Sequence, residues 1–147
     1  MTNYVGAELR RLVSERAGNV CEYCLIAGED SFFNHQIEHI ISLKHGGESE
    51  SENLALACVF CNSNKGSDIA SLAQNSQDLV RLYNPRTDRW SEHFQIDGST
   101  INPLSDIGEA TVRILKMNSD ERLLEREVLI GRGKYPNENA LRLIAEN

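Results

Sequence analysis

Residues 18–68 read GNVCEYCLIAGEDSFFNHQIEHIISLKHGGESESENLALACVFCNSNKGSD, and the fold turns on how its four cysteines are understood. They fall in two Cys-x-x-Cys pairs, Cys21/Cys24 and Cys58/Cys61. Zinc takes four ligands in a tetrahedron, so two such knuckles from separate parts of the chain supply four thiolates and close the shell. A closed shell leaves no open coordination position. The site is then structural, and its binding free energy is folding free energy. The alternative is four reduced cysteines buried as small hydrophobes, or one or two opportunistic disulfides. The chain opens MTNYVGAELRRLVSERAGNV, without the basic and apolar blocks of a secretory signal. That favours a metal over a disulfide framework and leads us to expect a cytoplasmic protein.

Working outward, Ala7–Ala17 places Leu9, Leu12 and Val13 on one face and stops at Gly18-Asn19, the pattern of a short amphipathic helix. Ser31–Ser42 is rich in aromatic and β-branched residues and breaks at Lys44-His45-Gly46-Gly47, as a strand entering a turn does. Glu38 and His39 then sit late in that strand on opposite faces. Glu48, Glu50 and Glu52 read as a solvated loop, and Asn62 onward as a helix start. Past residue 75 the chain is richer in aromatics and arginine. Asp97-Gly98 marks a hairpin turn. Ser105–Met117 and Ser119–Ile130 read as helices, the second capped from Asn118 with Glu121 three residues on, and a final turn spans Ala140–Ala145.

With 147 residues the chain has room for one domain with at most an appendage, and 40% hydrophobic with 25% charged residues is an ordinary globular balance. No apolar run is long enough to span a bilayer. The net charge of -7 opposes non-specific phosphate binding, and most of the excess acid lies in residues 1–70, which carry 5 basic against 10 acidic side chains. Acid there can serve a metal.

Between the knuckles run Ile37-Glu38-His39-Ile40-Ile41, Gly46-Gly47 and Asn53-Leu54, followed by Cys58-x-x-Cys61-Asn62-x-x-Lys65-Gly66. This ordered set resembles the HNH endonucleases, the ββα-metal nucleases, in the subtype whose motif is bracketed by a four-cysteine zinc site. The resemblance covers about residues 18–68. It implies a ββα-metal core stapled by zinc, which we place over residues 1–75; with the hairpin and helices read from the pattern over residues 76–147, packed on the same domain, the expected fold class is α+β. Phosphodiester hydrolysis needs a deprotonated water in line with phosphorus and positive charge for the pentacoordinate state. By resemblance His39 is the base and Glu38 and Asn62 hold magnesium or another divalent metal, while Asn53 fixes the loop and orients the histidine through a backbone hydrogen bond. Two positions depart from the family: Glu38 replaces the usual aspartate, and Ser42 stands near the usual proline. The implied partner is DNA, with RNA open, no membrane, and a homodimer possible for double-strand cutting.

Further residues have two readings each. His35, four positions before His39, shares its face in a regular strand and would line the same cleft. Lys65 would approach a phosphate, or else be a solvated helix lysine. Arg86 and Arg89, interleaved with Tyr83 and Trp90, would touch the nucleic-acid backbone; the stronger reading packs Trp90 and Phe94 in the core with the arginines paired to Asp88 and Glu92. The competing function is a catalytically silent, zinc-stabilised module that binds nucleic acid or protein.

Overall fold

The computed structural model describes residues 4–146. Its centre is an antiparallel hairpin, β1 (Gln36–His39) with β2 (Leu54–Ala57), in the register Gln36↔Ala57 to His39↔Leu54. β2 is buried along its whole length because the two-residue alternation gives each face an apolar neighbour. Leu54 and Leu56, with Ile37, meet Val13 of helix α1 (Ala7–Arg16) and its C-cap Ala17. Ala55, Ala57 and Ile40 join the main core instead. Helix α2 (Val59–Lys65) follows β2 directly, completing the ββα unit. Its start is the second knuckle itself: Cys58 is the N-cap, and its sulfur accepts the Cys61 N–H.

Two more hairpins follow, β3 (Ala70–Leu72) with β4 (Leu79–Arg81) and β5 (Phe94–Asp97) with β6 (Thr100–Pro103), separated by the short helix α3 (Trp90–His93). Helices α4 (Asp106–Leu115), α5 (Asp120–Gly131) and α6 (Glu138–Ala145) close the chain. One core holds Cys21, Tyr23 and Cys58 together with Trp90, Phe94, Leu115, Leu129 and Ala140, so the C-terminal half packs directly on the knuckles.

Several local expectations are corrected. The strand expected over Ser31–Ser42 shrinks to Gln36–His39, because Phe32 and Phe33 stack edge-on against each other on an exposed bend instead of pairing in a ladder. The helix expected from Asn62 begins at Val59 and ends at Lys65, where Gly66 turns the backbone with a φ of 52°. Leu12 stays half exposed on α1. The hairpin turn falls on Gly98-Ser99, with Asp97 paired to Thr100 and Gly98 at a φ of 60°. Asn118 does not cap α5. Its amide bonds both backbone groups of Ile101, which ties β6 to the start of that helix.

Candidate active site and metal centre

The four sulfurs of Cys21, Cys24, Cys58 and Cys61 lie within 4.8 Å of one another in the buried core, and those of Cys24 and Cys58 are 3.7 Å apart. Thiolates about 2.3 Å from a zinc ion stand about 3.8 Å apart, so the donor set and spacing fit that ion. Each knuckle folds back on itself, the Cys24 N–H to Cys21 Sγ at 3.5 Å and the Cys61 N–H to Cys58 Sγ at 3.4 Å. A further donor comes from far along the chain. Arg122 Nη2 points at Cys24 Sγ (3.0 Å) and Cys58 Sγ (3.4 Å). Burial opposes the charge on Arg122, but the thiolates beside it outweigh that and hold the guanidinium firmly protonated. Tyr135 donates to the Cys24 carbonyl at 2.8 Å, and Trp90 Nε1 to that of Tyr23 at 2.9 Å. Arg122 and Tyr135 carry no local motif, and contacts spanning 98 and 111 residues left no signal in the sequence.

A separate cleft of about 250 Å³ is lined by Ile37, Glu38, His39, Ser42, Asn62 and Gly66, which brings the three principal catalytic candidates together. His39, at the end of β1, places Nε2 2.8 Å from Ser49 Oγ. Partial burial and the nearby Lys65 hold its pKa below the ordinary histidine value, so the imidazole is neutral at neutral pH. Glu38, on the opposite face, is 2% exposed. Its Oε2 accepts from Tyr23 OH at 2.7 Å, and Oε1 stands 2.6 Å from Lys65 Nζ, which also donates to the Ile40 carbonyl at 2.8 Å. Burial pushes the Glu38 carboxyl up, and Lys65 and Tyr23 pull it back part of the way. Despite the short ion pair, Oε1 accepts no well-directed hydrogen bond. The Glu38 carboxylate and the Asn62 amide border one cleft with oxygen atoms of the kind a hard cation takes, and Lys65 already neutralises the carboxylate. The Asn62 Nδ2 donates to Gln36 Oε1, which leaves Oδ1 as the group for such an ion.

Asn53 pins the loop after β1. Its Oδ1 accepts the Ile41 N–H at 2.9 Å, and its Nδ2 donates to the carbonyls of Ile41 (2.8 Å) and Glu48 (2.9 Å). The paired glycines make this possible. Gly46 has a φ of 90°, and a Cβ on Gly47 would lie 1.7 Å from the Ile41 oxygen.

Other candidates lie elsewhere. His35 precedes β1 and turns away from the cleft, its Nε2 2.8 Å from the Ile26 carbonyl beside the first knuckle. Lys65 is neither solvated nor open to a phosphate, since it is 2% exposed and spent on Glu38. Arg86 is ion-paired with Glu22, not with Asp88 or Glu92. Asp88 takes Arg81 instead, through two hydrogen bonds of 2.7 and 2.8 Å. Arg89 is exposed. Trp90 and Phe94 are buried and stacked, as the packing reading holds. Tyr23, Gln36 and Ser49, which hold Glu38, Asn62 and His39, were not singled out in the sequence. Only Tyr23 offered a hint, as an aromatic inside a knuckle that must be buried.

Among the described residues no helix is long and apolar enough to cross a membrane. No curated protein and no solved structure matches the chain. The model of one family does match, HNH endonuclease, over residues 21–68, a span running from the first knuckle cysteine to just past α2 and enclosing both the cysteine cluster and the cleft. Residues 21–68 thus match an HNH endonuclease domain, and within them lie the ββα unit and four cysteines positioned to bind a metal ion.

Proposed function

We propose that the protein is a metal-dependent endonuclease that hydrolyses phosphodiester bonds in DNA, with the cleft at His39 as its active site. The observation that carries this reading is the convergence of a neutral, solvent-reachable His39 with the Glu38 carboxylate and the Asn62 amide in one cleft. The Ser49 hydroxyl accepts from His39 Nε2–H in the working tautomer, so the lone pair sits on Nδ1, ready to take a proton from the attacking water. Asn53 holds the backbone that follows His39, keeping the imidazole fixed as it gains charge. Glu38 and Asn62 would hold the divalent ion, magnesium as the leading candidate, which when bound stabilises charge on the phosphoryl and leaving oxygens. Lys65 and Tyr23 keep the Glu38 carboxylate in one orientation at the cleft wall. Zinc fills the cysteine cluster as a structural ion, since all four positions are protein thiolates. Products with 5′-phosphate and 3′-hydroxyl ends are expected.

The test is plasmid nicking with magnesium by the wild-type protein and a His39→Ala variant, each assayed for bound zinc. The variant retains zinc and loses nicking by at least two orders of magnitude, the usual contribution of a general base. Absence of cleavage of DNA or RNA by the wild type across several divalent metals would favour a silent binding module.

A further inference from the structure

On the outer edge of β2, away from β1, lies a second cavity of about 550 Å³ whose walls include Arg16, Glu22, Tyr83, Arg86, Arg89 and Trp90. Leu54 and Leu56 turn to this edge the backbone groups that β1 does not pair. Glu22 occupies part of it, with its N–H on the Leu56 carbonyl (2.8 Å) and Oε1 on the Leu56 N–H (2.9 Å). Arg16 Nη2 and Arg86 Nη1 both donate to the Leu54 carbonyl, at 2.9 and 3.2 Å, so two guanidiniums converge on one oxygen. Of the acids at the wall, Glu22 is committed, being 5% exposed and paired with Arg86, whereas the Glu146 side chain is exposed and pairs with no cation among the described residues. Asp88, like Glu22, is taken, by Arg81 and by the Asn84 N–H. The Arg89 side chain makes no hydrogen bond or ion pair to another described residue and stands exposed at the wall. The crowding shows in the charge balance: burial and the field of Arg86 both make protonated Arg16 less favourable, against the partial help of Glu22 and Glu52. The aromatic rings of Tyr83 and Trp90 are buried within the core, so no ring face is offered for a base to stack on. What Arg16, Arg86 and Arg89 present is a set of fork-shaped donors, which suit the oxygens of a phosphate.

We propose that this cavity is a phosphate site, and that it holds a backbone phosphate of the nucleic acid whose scissile bond lies at His39. The assignment of the backbone as the source rests on the nuclease reading above. Leu54, which anchors Arg16 and Arg86, is the ladder partner of His39, so only the width of one strand pair, roughly 5 Å per strand, lies between cleft and cavity. An acidic chain would thereby gain a guanidinium contact to the strand it cuts. The contact is to phosphate alone, so it positions the strand and reads no sequence.

Arg16 and Arg89 are the residues to change, since both are exposed, whereas removal of Arg86 would strand Glu22. In full-length, zinc-checked protein carrying His39→Ala so that the probe is not consumed, binding of a fluorescein-labelled duplex is followed by anisotropy across a salt series. Arg16→Gln and Arg89→Gln each weaken binding several-fold and each reduce the slope of log Kd against log salt by about one. A parallel titration with inorganic phosphate asks whether the free anion fills the same place. Parent affinity and slope retained in both variants would overturn the site. A parent that binds no duplex but binds inorganic phosphate in an arginine-dependent way would overturn the backbone assignment and leave a small-anion site. Nicking by the wild type is scored separately, so arginine-dependent binding without any cutting sinks the nuclease reading and keeps the cavity.

Discussion

Lys65 shows how a single side chain resists inference from sequence. Its place in Asn62-x-x-Lys65-Gly66 was legible and its burial was not, because that depends on the helix starting at Val59, three residues earlier than the pattern suggested. With that start, Lys65 falls in the last turn of α2, turned inward onto β1, and meets Glu38. By contrast the opposite orientations of Glu38 and His39 followed directly from strand alternation. Glu38 and Lys65 form a buried pair, so breaking it leaves an unpaired charge in a low-dielectric wall. We expect Lys65→Met to lower unfolding free energy by about 3–5 kcal/mol. The double variant Lys65→Met with Glu38→Gln should recover part of that loss, measured by urea denaturation of all three proteins. With Glu38→Gln alone as the fourth corner of the cycle, a double-variant loss equal to the sum of the two single losses would show that the pair is not coupled.

At the scale of elements, the ββα unit was legible because two strong local signals frame it, the knuckle spacing and the alternation through Glu38 and His39. The three-residue strands β3 and β4 were not, since so short a run carries no periodicity. Phe32 and Phe33 misled for a different reason: aromatic content mimics a strand even where the residues face solvent. The turn after β4 is a small built structure. Asn84 Oδ1 accepts the Arg86 N–H at 2.8 Å, and Asp88 closes the turn by accepting the Asn84 N–H at 2.9 Å together with Arg81. Burial works to raise the Asp88 pKa, but the Arg81 and Asn84 hydrogen bonds overcome it and hold the carboxyl below its ordinary value. A carboxyl lowered on folding contributes stability above its unfolded pKa and loses it as pH falls through the folded one. Asp88→Asn should therefore cost about 1 kcal/mol at neutral pH. The variant and wild-type stabilities should converge as pH drops below the ordinary carboxylate range. A gap that persists at that pH would assign the cost to geometry instead of charge.

Across the whole molecule, the metal centre is where the two halves of the chain meet. The first half supplies four sulfurs, and the second supplies Arg122, Tyr135 and Trp90 around them. The sequence made the sulfurs plain and kept the surrounding donors hidden, because a guanidinium 98 residues from its target leaves no spacing to read. Arg122 also lies over the Phe60 ring, 4.8 Å from its centroid, which fixes the guanidinium against the knuckles. Donors to metal-bound thiolates tune affinity, so Arg122→Met should weaken zinc binding ten- to a hundredfold in competition with a chromophoric chelator. Unchanged affinity would make Arg122 a packing residue only.

The chain has one tryptophan, and its indole N–H is anchored to the carbonyl of Tyr23, inside the first knuckle. Nature has thus wired a single fluorophore to the staple that closes the fold. Its emission colour reads out the integrity of that staple without any added dye.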